Sequence, residues 1–452
     1  MQNVTNEFEF SAFKIALNRT KISFFYKGIY SSSKSEIFEE KILLPSPIPP
    51  EIPNQLLDKV LFSLHLILGI SYYKMFSTSN IRVKSGELNK AQADFWNAVY
   101  TKGLGEFFYR NSIDFRGLIK FPYSQNVEKS STILERSNRS LLGIGGGKDS
   151  LVSFELLQKL KKDFTSLVIE SNHSYPTIDR MMNFFRYPTI KIKRQIDTRV
   201  FEKNKRRNIP NGHIPISAIN AFIGVFTCLI YNYKYFIVSN EKSANFGNTK
   251  YLGLEVNHQW SKSIEFEKLF QTYIKDFITP SVAYFSLLRP FSEFAIIKMF
   301  SSYPQYFPYF SSCNTNYKVE YITHSRIWCN RCPKCAFIFG MLAAFLPKKT
   351  VLTIFNSNLF QDATLSTLYR QLWGIQDIKP FECVGIPEEI NMAFYLSYKN
   401  GDYKNDVIMK LFEKEVLSKI SKPDQLISNL LIKEDTNTIP KEFRSIVSQI
   451  HI

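Results

Sequence analysis

The chain has 452 residues, of which 44% are hydrophobic and 21% charged, a globular composition that excludes a disordered, collagen-like or low-complexity protein. Its 57 Lys and Arg against 40 Asp and Glu leave a formal net charge of +17. That excess could steer phosphate-bearing ligands, but compositional drift toward Lys, Phe and Tyr is its main explanation. Six cysteines are too few for a secreted disulfide scaffold of this size.

Residues 1–10 carry Glu7 and Glu9 and lack the apolar stretch of a secretory signal. Residues 21–29 and 36–44 have the aromatic and apolar runs of strands, so residues 1–50 read as a small β-rich start. A Pro-rich stretch at 45–53 breaks the chain. Residues 54–75 then read as a helix, and 88–109 as one or two more around Gly103 and Gly105. From about residue 140 the texture becomes alternating: strand 141–145, helix 150–162, strand 166–170, helix 176–185, strand 189–196, helix 216–231 and strand 235–239. Strands alternating with helices predict an α/β fold, a parallel sheet with helices on both faces. Residues 258–303 read as mostly helical, with a turn near Arg289 and Pro290. Further helices are expected at 333–345 and 362–373 and in a tail over 405–432. The apolar runs 60–73, 218–231 and 337–346 fall short of the roughly 20 residues that span a bilayer. A cytoplasmic protein with no membrane span is expected. The basic cluster Lys203, Lys205, Arg206 and Arg207 reads as a solvated loop.

The segment LLGIGGGKDSLVS at 141–153 is the most informative. A strand runs into Gly145, Gly146 and Gly147, then Lys148, Asp149, Ser150 and a helix. Glycines allow backbone N–H groups to approach an anion, and a helix N-terminus adds partial positive charge. A Walker loop is excluded, because Leu142 and Asp149 stand where Gly and Ser/Thr are needed. A dinucleotide fingerprint fails because Lys148 or Ser150 occupies the third glycine position. The loop resembles the S-G-G-x-D-S PP-loop of the ATP pyrophosphatases, with Gly145 in place of the Ser. That resemblance implies an adenine nucleotide alpha hydrolase-like sheet and ATP cleaved between its α and β phosphates. Glu241 and Lys242, in SNEKSAN at 239–245, are expected at the same sheet edge. The segment LRPFSEFAIIKMF at 288–300 resembles a helix opening seen in such enzymes, with Arg289, Pro290 and Glu293 in place.

Cys329, Cys332 and Cys335, with Cys313 upstream, offer four soft ligands at a spacing that suits a closed, structural Zn²⁺ site. An iron–sulfur cluster or unmetallated thiols are the alternatives. Cys228 and Cys383 read as free thiols. His213 sits in a Gly/Pro loop before a helix; His258 and Lys262 lie in a polar run, EVNHQWSKSIEFE. For each histidine a structural role stands beside a site role; His65, His324 and His451 carry weaker signals.

Several segments together resemble one family, the ATP-dependent epimerases of UDP-N-acetylmuramoyl-L-alanyl-L-glutamate. They are LGISYYK (68–74), GLGEFFYRN (103–111), GIGGGKDS, GHIPISAIN, VSNEKSAN, EVNHQWSKSIEFE, WCNRCPKCAFIF (328–339) and KPFECVGIPEE (379–389). The resemblance implies inversion of the terminal L-glutamate of a UDP-linked muramoyl dipeptide through an acyl-adenylate, with release of AMP and diphosphate. It implies ATP bound by Gly145, Gly146, Gly147, Lys148, Asp149, Ser150 and Glu241. Mg²⁺ would lie by Asp149 and Glu241, and His213, His258 and Lys262 would move the protons. The expected organisation is an N-terminal α+β region (1–135), a PP-loop nucleotide-binding α/β domain with the cysteine site (136–348) and a helical C-terminal region (349–452). The competing readings are a PP-loop enzyme adenylating a nucleobase or tRNA, and a zinc-stabilised binding module without catalysis.

Overall fold

A computed structural model describes residues 5–30, 34–206, 209–317, 327–434 and 437–450; Arg207, His324 and His451 lie outside them. In chain order the strands are β1 (Thr5–Ile15), β2 (Lys21–Tyr30), β3 (Ser35–Leu43), β4 (Ile81–Val83), β5 (Ser140–Gly143), β6 (Phe164–Ser171), β7 (Thr189–Gln195), β8 (Tyr235–Val238), β9 (Thr249–Tyr251), β10 (Leu254–Val256) and β11 (Ala283–Ser286). Nine of them form one sheet in the order β11-β8-β5-β6-β7-β3-β2-β1-β4, while β9 and β10 make a separate hairpin.

The five strands β11, β8, β5, β6 and β7 are mutually parallel. Single-residue alternation along them supplies both faces. Leu141, Phe236 and Tyr284 face one apolar core, and their neighbours Leu142, Ile237 and Phe285 face the other. The helices Asn54–Phe76 and Ile216–Ile230 cover the first face; Lys148–Lys159, Glu293–Phe300 and Pro333–Leu342 cover the second. The helical region after residue 348 shares that second core through Phe360, Trp373 and Phe394. The expected two-sided α/β architecture is therefore present.

Three features add to or differ from expectation. The N-terminal strands, expected as a β-rich start, share the large sheet. They continue the large sheet as an antiparallel meander, joined where β3 pairs with β7 across Lys41–Leu43. A buried ion pair clamps that seam: Arg194 on β7 donates to Glu40 on β3 at 2.5 Å and to Ser71 at 2.6 Å. β1 itself carries alternating Glu and Phe, and the buried Glu7 and Glu9 are tolerated because Arg82 and Lys84 reach each of them at 2.9 Å. Second, the stretch expected to be mostly helical contains β11, whose four residues are too few to display a period but complete the parallel edge beside β8. Third, the helix Asn54–Phe76 contains a 20-residue stretch long and apolar enough to cross a bilayer, yet its most apolar window is 89% buried inside the fold. Its apolar residues are core contacts.

Strand order reverses between β5 and β8: the chain proceeds from β5 outward to β6 and β7, then crosses back to β8 and β11. The loops after β5, β8 and β11 consequently gather at one end of the sheet around a crevice, where open α/β sheets place ligands.

Candidate active site

The loop after β5 has the geometry its sequence predicts. Gly146 has φ +78, a left-handed conformation that favours glycine, and a Cβ there would stand 2.5 Å from the Tyr317 hydroxyl. A Cβ on Gly147 would crowd the Ser312 hydroxyl at 3.0 Å, whereas at Gly145 it would meet nothing within 4 Å. The helix begins at Lys148 with Gly147 as its N-cap and no side chain capping it. Its first N–H groups are thus left for an anion. Ser150 donates back to the Gly147 carbonyl at 3.1 Å and stiffens the turn.

Beside this cradle, Asp149, Glu241 and Glu293 bring carboxylate oxygens within 4.8 Å of one another. They follow β5, β8 and β11 in turn, Asp149 and Glu293 from the first turns of their helices and Glu241 from the loop after β8. Lys148 is buried and bonded to both Asp149 and Glu293. Burial opposes its charge, but those two carboxylates hold its ammonium well above the ordinary lysine range. Burial raises Glu293, and Lys148 only partly offsets the push from Asp149, Glu241 and Glu389. Glu241 is 1% exposed and its Oε2 has no hydrogen-bond partner among the described residues. A buried, unpaired carboxylate oxygen facing two other acids fits a hard cation such as Mg²⁺. Arg289 is buried away from any ligand: it pairs with Glu267 at 2.7 Å and donates to the Glu241 and Lys262 carbonyls at 2.8 and 2.6 Å. Lys242 turns outward to Glu434 at 2.5 Å and stays out of the crevice.

A second group of side chains adjoins the first. Glu106, in the helix Gly105–Arg110, is 5% exposed and hydrogen-bonds His258 Nδ1 at 2.5 Å. The rings of His213 and His258 have centroids 4.2 Å apart, and Glu106 lies 3.9 Å from His213 Nδ1. Cys383 stands close enough to His258 to act on its charge. Burial disfavours its imidazolium, but Cys383 and Glu106 outweigh that and lift it to about 9. His213 moves the opposite way: burial, then the charges of His258 and Lys74, keep it neutral. Burial would raise the Cys383 thiol, but Lys262, Lys334 and His258 bring it down to about 6. Lys262 links the two groups. Cys383, Glu241, Asp149 and Glu293 all raise its affinity for a proton against the cost of burial.

Short-range contacts hold this arrangement in place. Lys74 donates to the Asn211 side chain at 2.8 Å and the Gly212 carbonyl at 3.0 Å, fixing the loop that carries His213. Desolvation takes that lysine down to about 8. Glu389 accepts from the backbone N–H groups of Ile386 and Glu293, both at 2.8 Å, and from the Ser243 hydroxyl. A cleft of about 450 Å³ opens alongside, lined by Arg110, Pro333, Lys379 and Glu382 among others.

The four clustered cysteines converge as expected. All four sulfurs lie within 4.8 Å of one another, with Cys329–Cys335 at 3.7 Å and Cys332–Cys335 at 3.5 Å. A tetrahedron with Zn–S arms of ~2.3 Å places its sulfurs about 3.8 Å apart, so the thiols fit that ion. The motif also does something its spacing did not disclose. It sets Lys334, between Cys332 and Cys335, close enough to act on both His213 and Cys383.

The structure thus brings together Gly145 to Ser150 with Glu241, and His213 with His258 and Lys262. Glu106, Glu293, Lys334 and Cys383 join them without having been assigned roles from sequence. Glu106 and Cys383 lie in the quoted segments GLGEFFYRN and KPFECVGIPEE; their chemistry is invisible until the fold brings each of them to His258, across 152 residues in the case of Glu106. His65 is structural. It is buried between the Ser85 hydroxyl and the Phe25 carbonyl, at 2.9 and 3.0 Å, and desolvation takes it down to about 3.

Residues 1–287 match the MurL N-terminal domain, and residues 309–426 match the MurL C-terminal domain. A protein of Xanthomonas oryzae pv. oryzae, named UDP-N-acetyl-alpha-D-muramoyl-L-alanyl-L-glutamate epimerase, is 36% identical over 83% of this chain and 83% of its own length. Proteins of the same name from a Micromonospora species and from Salinispora tropica are each 34% identical; the first covers 89% of both chains, the second 88% of this chain and 86% of its own.

Proposed function

This chain belongs to the UDP-N-acetyl-alpha-D-muramoyl-L-alanyl-L-glutamate epimerase (MurL) family, and we propose that it inverts the terminal L-glutamate of UDP-N-acetylmuramoyl-L-alanyl-L-glutamate for peptidoglycan synthesis, after activating it with ATP. One observation carries the ATP-dependent route. An uncapped glycine-loop helix with three converging carboxylates adjoins a half-buried imidazole, thiol and amine cluster, and Lys262 senses the charges of both. In this reading phosphate chemistry and proton chemistry share one crevice.

The α-proton of a carboxylate is barely acidic, since its anion has no room for a second negative charge. In the proposed route the glutamate carboxylate oxygen attacks the α-phosphorus of ATP, the α–β P–O bond breaks and diphosphate leaves. Gly145, Gly146 and Gly147 and the first N–H groups of the following helix hold the phosphates. Lys148 orients Asp149 and Glu293, which with Glu241 would hold Mg²⁺; the ion supplies charge neutralisation on the triphosphate. The acyl-adenylate has lost the carboxylate's charge, so proton loss from the α-carbon becomes accessible to a base. His213, His258 and Lys262 surround the site for that exchange. Water then hydrolyses the mixed anhydride and AMP departs. The cleft edged by Arg110 and Lys379 is offered as the seat of the anionic UDP portion. The four cysteines are assigned a structural Zn²⁺ and the reaction a cytoplasmic setting, where nucleotide-linked precursors are made.

The comparisons favour this substrate over a nucleobase or tRNA. Incubating the protein with ATP, Mg²⁺ and the UDP-linked L-Ala-L-Glu peptide should give AMP together with D-glutamate on hydrolysis. D-Glutamate without AMP would remove ATP activation; AMP without inversion would remove the epimerase reading.

A further inference from the structure

We propose that Cys383 is a catalytic proton-transfer residue of the epimerisation, its sulfur exchanging the proton at the glutamate α-carbon beside His258. The inference rests on the reading of the crevice given above and names a group that reading leaves unused.

Geometry comes first. Glu106 occupies His258 Nδ1, and Gln259, next to that histidine, holds Val384, next to Cys383, so a carboxylate, an imidazole and a thiol from distant parts of the sequence gather in one place. The Glu106 contact orients the imidazole ring. The turn bearing Cys383 is pinned on both sides. Asn248 donates to the Lys379 and Pro380 carbonyls at 3.2 and 2.9 Å, and its Oδ1 accepts from the His258 backbone N–H at 3.0 Å. Gln259 donates to the Val384 carbonyl at 3.2 Å, leaving its Oε1 buried and without a partner among the described residues beside that turn. The turn that carries the thiol is therefore tied to the His258–Gln259 segment, directly through Gln259 and by way of Asn248. Such rigidity is wasted on an idle cysteine but suits a group that must meet a substrate atom.

Accessibility agrees. Cys383 keeps partial solvent contact, as do His258 and Lys262, and the segment before it lines the 450 Å³ cleft. The other thiol outside the cysteine cluster, Cys228, is wholly buried in a helix, donates to the Tyr235 carbonyl at 3.6 Å and is pushed up by desolvation. Two cations, Lys262 and Lys334, face Cys383 in addition to His258 and favour the thiolate.

The step balances within the residues named. The Cα–H bond breaks as an S–H bond forms on Cys383, and the electron pair moves into the acyl carbonyl of the activated glutamate. A second donor, His213 or Lys262, rebuilds Cα–H from the other side. That donor recovers its proton from the thiol, which returns the site to its starting charge.

The test compares the full-length wild type with Cys383→Ser and Cys383→Ala in D₂O, with ATP, Mg²⁺ and the UDP-linked L-Ala-L-Glu peptide. Both variants should keep releasing AMP while deuterium uptake at the α-carbon and D-glutamate formation fall by ~10²–10⁴-fold, the usual worth of a positioned general base. Inversion retained within about tenfold in Cys383→Ser would overturn the proposal, since a hydroxyl is far too weak a base at neutral pH. So would a wild-type adduct of peptide mass on Cys383 after acid quench, which would make the thiol a nucleophile. Loss of AMP release in step with inversion would reassign it to the activation step. A wild type that exchanged its α-proton without forming AMP would sink the ATP reading instead, and the same variants would still judge Cys383. If either variant fails to fold, iodoacetamide on the wild type replaces it: Cys383 should alkylate before Cys228, the peptide substrate should protect it, and the alkylated protein should lose exchange. Full exchange after alkylation there would end the idea.

Discussion

Replacing Glu106 by Gln removes a charge from His258 while keeping the shape of the hydrogen bond. The carboxylate is buried, meets Nδ1 at 2.5 Å, and is one of the two side chains that lift the imidazole to about 9. A buried hydrogen bond to a charged group contributes about 1.5–3 kcal/mol, and one pH unit corresponds to about 1.36 kcal/mol. Losing it should lower the His258 value by about one to two pH units. The sign follows from the raised value: His258 is an imidazolium below about 9 in the native protein and neutral above it. If the imidazolium is the working form, kcat/KM for D-glutamate formation should fall as pH rises through that value. In Glu106→Gln the same fall should begin about one to two pH units lower, with a drop in rate at pH 8 and little change at pH 6. Because Glu106 lies outside the carboxylate group around Asp149, AMP release driven by substrate should persist. Stopped-point chirality analysis across pH 5.5–10, roughly the span over which imidazole and thiol titrate, measures both. An alkaline limb that stays in place in the variant would refute the claim that Glu106 sets the charge of His258.

Gly146→Ala should impair ATP use more than folding. The left-handed conformation costs an alanine about 1–2 kcal/mol, and the new Cβ must displace the Tyr317 hydroxyl from 2.5 Å; unchanged KM for ATP would argue against a phosphate-holding loop. Asp149→Ala should abolish AMP formation with the fold intact, because Glu293 still neutralises Lys148; normal turnover would take Asp149 out of the site. Cys335→Ser should release bound zinc, lower Tm and slow epimerisation through displacement of Lys334, as metal analysis and thermal melts of the full chain would show. Purified wild-type protein free of metal and equally stable with or without chelator would contradict the zinc assignment.

Much of this protein is legible in one dimension wherever the physical cause is local. Strand Leu141–Leu142, the glycines after it and the helix from Lys148 signal an anion cradle because backbone freedom, helix polarity and side-chain periodicity all act within a dozen residues. The cysteine cluster is visible for the same reason, since three of its ligands lie within seven residues of one another. Folding alone decided what depends on distance. β11 is four residues long and acquires its identity by pairing with β8. The N-terminal strands joined the main sheet through the Arg194–Glu40 pair, which no pattern within either segment announces. Glu106, His258 and Cys383 are unremarkable apart, and their charge states arise from burial and mutual contact. Those two quantities are absent from a linear chain and exist only once the crevice has closed around them.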